Sequence, residues 1–114
     1  MSPTQRTLAE LRKQGYTAYV VEKWNMHAKI RQDLFGFIDI LAMKPSEPLL
    51  AVQATSTGNI SSRIDKIHDT ILSQDWISTG ARLEVWGWAK RGARGKRKVW
   101  MLTMKVIAPG KPKL

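Results

Sequence analysis

The chain has 114 residues, 43% of them hydrophobic and 25% charged, and no cysteine. This composition suits one modest globular core and excludes a disulfide framework or a thiolate metal site. Nineteen Lys and Arg against nine Asp and Glu leave a net charge of +10, which favours polyanions, nucleic acid before an acidic membrane surface.

Residues 3–14 read as a helix: Ser2 or Thr4 can cap it, Pro3 suits a first turn, Leu8 and Leu11 share a face, and Gly15 supplies the stop. Residues 16–24 are aromatic and β-branched and read as a strand, followed by a polar loop over residues 25–33. Two further strands, residues 34–43 and 49–56, flank the turn-rich link Lys44, Pro45, Ser46, Glu47, Pro48. Ile60, Ile64, Ile67 and Ile71 recur at helical spacing, so a helix capped by Asn59 or Ser61 runs to about residue 73. Residues 82–89 alternate, with Leu83, Val85 and Gly87 on one face and Glu84, Trp86 and Trp88 on the other. With residues 98–107 they predict an antiparallel hairpin around a long loop. The expected fold is α/β: a mixed five-stranded sheet in αβββαββ order with helices packed on both faces. Residues 1–108 form one domain and residues 109–114 a flexible basic tail. Residues 1–6 lack the apolar stretch of a signal peptide, and no apolar run has membrane-spanning length.

The informative segment is LFGFIDILAMKPSEPLLAVQAT, residues 34–55. Asp39 sits among Phe37, Ile38, Ile40 and Leu41, and an acid buried there is costly unless paired, hydrogen-bonded or metal-bound. A strand-end Asp facing water is the plainer alternative. Gln53 follows fourteen residues later, then Thr55 two places on. Glu22 and Asp33 are further acids nearby. Residues 53–59, rich in small hydroxyl side chains before a helix, suit either a phosphate cradle or a capped turn.

An acid on the second strand and Gln-x-Thr on the third, in this order of elements, resembles the core of the PD-(D/E)xK nuclease superfamily. Size and spacing are most similar to Holliday junction resolvases and small phage nucleases. The resemblance implies a restriction-endonuclease-like core and a catalytic set of Asp39, Gln53, Thr55 and Glu10 or Glu22. Asp39, Gln53 and the Ala54 carbonyl would be ligands of Mg²⁺ or Mn²⁺. Thr55 stands where the family carries lysine and supplies no positive charge; Lys23, Lys29 or Arg31 could replace it. The resemblance further implies branched DNA as partner, a homodimer, the cytoplasm of a bacterial or phage-infected cell, and neither membrane nor small-molecule cofactor.

Residues 90–98 carry six cations and no acid. Lys90, Arg91, Arg94, Lys96, Arg97 and Lys98 are therefore assigned to the phosphate backbone, together with Lys29, Arg31, Arg63 and Lys66, and glycines in the run allow close main-chain approach. Trp86, Trp88 and Trp100 are candidates for stacking on bases or for burial. Two other readings remain: a nuclease-fold protein that binds nucleic acid without cutting, favoured by Thr55, and a basic protein-interaction module.

Overall fold

The computed structural model describes residues 1–108; the tail expected over residues 109–114 lies outside the described residues. The first helix, α1 (Pro3–Lys13), starts where Ser2 Oγ accepts the Gln5 N–H at 3.2 Å. Arg12 and Lys13 occupy its last turn, where cations complement the helix dipole. Gly15 then takes a φ of +94° and turns the chain out of the helix.

Five strands form the main sheet in the order β1-β4-β5-β6-β7: β1 (Thr17–Val20), β4 (Ile40–Met43), β5 (Leu50–Ser56), β6 (Arg82–Arg91) and β7 (Val99–Val106). β1, β4 and β5 are antiparallel neighbours, β5 and β6 run parallel, and β7 returns antiparallel on β6. The parallel step requires a crossover. It is made by a 3₁₀ turn (Thr57–Asn59), α2 (Ile60–His68) and α3 (Ile71–Ser78).

The alternation of β5 and β6 divides the core in two. On one face α1 buries Leu11 against Ala18, Ile40, Leu50, Val52 and Trp86. On the other, Ile60 and Ile67 of α2 pack on Ala51, Leu83 and Val85, flanked by Trp76 and Ile77 of α3. Buried aliphatic side chains of this kind each contribute about 1.5–3 kcal/mol relative to exposure. Glu84 is buried on the α1 face with its charge satisfied: Arg82 donates to it at 2.6 Å and the Trp86 indole N–H at 2.9 Å. No helix among the described residues is long and apolar enough to cross a membrane.

The α/β class, the mixed five-stranded sheet and helices on both faces agree with expectation; the finer element order does not. The strand expected over residues 16–24 ends at Val20, and its last residues join the stretch expected as a loop in a second, two-stranded sheet, β2 (Lys23–Asn25) with β3 (Ile30–Gln32). Asn25 Oδ1 accepts both the His27 and Ala28 N–H at 3.0 Å and so nucleates the hairpin turn. The expected strand over residues 34–43 is only half strand: Phe35 and Gly36 take φ values of +56° and +85° in a tight turn, and β4 begins at Ile40. The single helix expected to about residue 73 is broken at Thr70, whose hydroxyl caps α3 by accepting the Leu72 N–H at 3.3 Å. Ile71 falls on the helical pattern yet is 75% exposed.

Gly87 fixes how closely the crossover sits on the sheet. A Cβ there would lie 2.4 Å from Ile60 Cδ1 and 2.9 Å from the Thr57 Cα. Gly87→Ala therefore forces the start of α2 off β6. The expected cost is about 1–3 kcal/mol, read as a clear fall in the thermal midpoint, and an unchanged midpoint would mean that the contact is not tight in solution.

Candidate metal and phosphate site

The β2–β3 hairpin assembles the site. Its register pairs Lys23 with Gln32, so Glu22 and Asp33, one residue further out on each arm, meet at its open end. Asp39 is brought to the same place by the main sheet: its carbonyl accepts the Val21 N–H at 2.8 Å and its own N–H donates to the Val52 carbonyl at 3.1 Å. One carboxylate oxygen from each of Glu22, Asp33 and Asp39 lies within 4.8 Å of the others.

Asp39 is held from several directions. Its Oδ2 accepts the Ala54 main-chain N–H at 2.8 Å, so the side chain takes a bond that strand pairing would otherwise supply. Burial and a hydrogen bond with Asp33 push its carboxyl up to about 8 from 3.8, with the charges of Asp33 and Glu22 adding to the rise and the Ala54 N–H opposing it. Near neutral pH the group is therefore largely a proton carrier, bridging towards Asp33.

Gln53 is buried beside this cluster, and its Nε2 donates to Asp33 Oδ2 at 3.2 Å. Its Oε1 is buried with no hydrogen-bond partner among the described residues. An orphaned buried carbonyl is uncommon; a half-turn of the amide would aim that oxygen at the carboxylates. An open pocket of about 370 Å³ sits over the acids. Thr4 of α1, Arg31 of β3, Ala54 of β5, and Arg63 and Lys66 of α2 complete its wall. Arg31 is tied to Glu22 at 3.0 Å. Neither Arg63 nor Lys66 forms a salt bridge among the described residues.

Of the residues singled out from the sequence, Asp39, Glu22, Ala54, Arg31, Arg63 and Lys66 meet at the pocket, with Gln53 behind it. Asp39 precedes β4 rather than lying within it. Glu10 is not part of the cluster; its carboxylate accepts from Gln14 Nε2 at 3.2 Å along α1. Thr55 is buried on β5, faces the crossover beside Gly87 and does not line the pocket. Lys29 caps the tip of the β2–β3 turn with a φ of +55°, exposed and away from the pocket wall. The run from Lys90 through Arg91, Arg94, Lys96 and Arg97 to Lys98 is exposed, on the β6–β7 hairpin. The pairing of Glu22 with Asp33 was not read from sequence. The one local signal is Asn25, whose side chain favours the turn.

Oxygen donors only, three carboxylates within reach of one ion and a buried amide carbonyl without a partner fit a hard divalent cation such as Mg²⁺ or Mn²⁺. Searches against protein-family models, characterised proteins and solved structures return no match to this chain.

Because the Asp39 carboxyl titrates near 8 in the fold and near 3.8 when exposed, its protonation stabilises the fold fully below about pH 4, and that stability is lost progressively up to about pH 8. Asparagine keeps an oxygen for the Ala54 N–H and an N–H for Asp33 without ionising. In EDTA, the thermal midpoint of Asp39→Asn relative to wild type should rise from pH 4 to pH 8 and level off above. A constant difference across that range would show that Asp39 is not the titrating group.

Proposed function

We propose that this protein is a metal-dependent nuclease that hydrolyses phosphodiester bonds in branched DNA, built on a restriction-endonuclease-like core resembling that of Holliday junction resolvases. The observation that carries the reading is the meeting of Glu22, Asp33 and Asp39 within 4.8 Å, beside the buried Gln53 and beneath Arg63 and Lys66. The antiparallel β1-β4-β5 meander, the helical crossover and the parallel β5–β6 step support the likeness of the core. The +10 charge supports a polyanionic substrate.

Bound Mg²⁺ or Mn²⁺ supplies Lewis acidity and a low-pKa water. The chain would hold the ion through Asp39, Asp33 and Glu22, with Gln53 able to turn its carbonyl inward. Arg63 and Lys66 pair with the non-bridging oxygens of the scissile phosphate and take the part for which Thr55 is unsuited. Asp39 and Asp33 would have to give up the proton held between them for a cation to bind, so loading would improve as pH rises towards 8. Cations of the β6–β7 hairpin hold flanking phosphates. Symmetric cutting of a four-way junction calls for two such sites, hence a homodimer acting in the cytoplasm of a bacterial or phage-infected cell.

A second reading is favoured by one observation. Asp39 is satisfied by the Ala54 N–H and its bond with Asp33 without any ion, which suits a protein that binds nucleic acid and leaves it intact.

Cleavage of a labelled four-way junction, with linear duplex alongside, separates the two. Wild type with Mg²⁺ or Mn²⁺ should cut the junction, Asp39→Ala should not, and Lys66→Ala should slow cutting by about a hundredfold. Mn²⁺ should raise the thermal midpoint of wild type but not of Asp39→Ala. Junction binding without cutting under either ion would replace the nuclease reading with the binding one.

A further inference from the structure

On the α1 face, β6 and β7 carry an aromatic ladder that becomes more exposed towards the hairpin tip. Trp86 is buried, Trp88 is half-buried with its indole N–H donating to Thr7 Oγ1 at 2.9 Å, and Trp100 is 44% exposed. Trp100 is the direct cross-strand partner of Lys90, so the two side chains share a face. With Arg97, Lys98 and Val99 they line an open cleft. The Arg6 guanidinium of α1 lies over the indole, 3.9 Å from the ring centroid, and its Nε is buried without a hydrogen-bond partner among the described residues. Arg6 thus braces the ring from behind. An aromatic plane braced on one side and ringed by cations matches a nucleobase with its phosphates better than it matches an apolar partner.

We propose that Trp100, with Lys90, Arg97 and Lys98, forms a stacking subsite for an unpaired nucleobase of single-stranded nucleic acid, towards the same end of the sheet as the acidic pocket. The base must be unpaired because a base inside a duplex has its faces covered by its neighbours. A duplex can use the cations of the cleft but not the ring. The first turn of α1 touches both places: Thr4 lines the acidic pocket and Arg6 braces Trp100. β7 lies two inter-strand spacings from β5, about 10 Å. Trp100 is level with Lys90, four residues further along β6 than the Trp86 that pairs with Ala54, about 13 Å more along the strands. The two places are thus about 16 Å apart, a span of about five stacking steps at about 3.4 Å each. The inference deepens the nucleic-acid reading above by naming single strands or frayed branch points as what the surface selects, and it does not depend on cleavage.

The test is equilibrium binding in EDTA, by fluorescence anisotropy, of a labelled single-stranded 12-mer and of a hairpin duplex of matched sequence. Wild type, Trp100→Ala and Trp100→Phe are compared, with thermal midpoints and sedimentation mass for each. Trp100→Ala should weaken single-strand binding about tenfold or more and duplex binding by less than about twofold, while Trp100→Phe retains most of the single-strand affinity. Equal losses on both ligands, or no loss on either, overturn the subsite. A drop in sedimentation mass for Trp100→Ala also overturns it, since Trp100 would then serve contact between copies of the chain. Because EDTA removes divalent ions, selective single-strand loss would uphold the subsite even if the junction assay found no cutting.

Discussion

The arrangement depends on where the Asp39 carboxylate finds its hydrogen bonds. Asp39 sits at the bend where a tight turn becomes β4, and its side chain accepts the Ala54 N–H at 2.8 Å. Its main chain meanwhile bonds to Val21 on one side and Val52 on the other. One residue therefore ties the chain just after β1 to the middle of β5 and aims the hairpin flanked by Glu22 and Asp33. An unpaired buried carboxylate would be costly. Here the cost is met by the Ala54 N–H and by a proton held with Asp33, so the fold is satisfied with the site protonated and is placed in tension when the site ionises. That tension is what a cation would relieve.

Charge outside the site is organised around the same end of the sheet. β5 and β6 run parallel, and Asp39 stands at the start of β4, which is antiparallel to β5. The acidic pocket, the start of α2 and the β6–β7 hairpin therefore all lie towards the carboxyl ends of β5 and β6. In open α/β sheets this is the end where ligands collect, because loops and helix starts converge there. The cationic hairpin and the three carboxylates are thus presented to the same side of the molecule, although each would repel what the other attracts. On the proposed reading, a phosphodiester with an accompanying cation would reconcile them.

The five strands of the main sheet were legible because their alternation is driven by burial on two faces. Leu83 and Val85 go to one helix layer and Trp86 to the other, as period-two spacing requires. α1 was legible from Ser2, Pro3 and Gly15, residues whose effect is local. The β2–β3 hairpin was not, because its strands are short and mostly exposed; with no buried face, no hydrophobic period marks it. The break between α2 and α3 was hidden because Ile71 continues the helical spacing while the Thr70 hydroxyl ends it. The site shared that fate in part. Asp39 and Gln53 stood out as polar residues in apolar runs, whereas Glu10 was attractive only by the family pattern. Glu22 and Asp33 needed the hairpin register before they became neighbours.

The cations at the pocket argue about purpose most directly. Arg31 behaves as a counter-ion: it closes on Glu22 at 3.0 Å. Arg63 and Lys66 have the same three carboxylates within their pocket, yet they stay on its wall without a salt bridge to any of them. Were charge neutralisation of the acids their role, long flexible side chains would be expected to close that gap. Their placement on α2, held to the sheet through the contact of Ile60 with Gly87, keeps a positive rim above an acidic floor. A lone anion would be repelled by the floor and a lone cation by the rim. A phosphate bound through a divalent ion, as proposed, would satisfy both layers, and it is the spacing between them rather than either group alone that supports that reading.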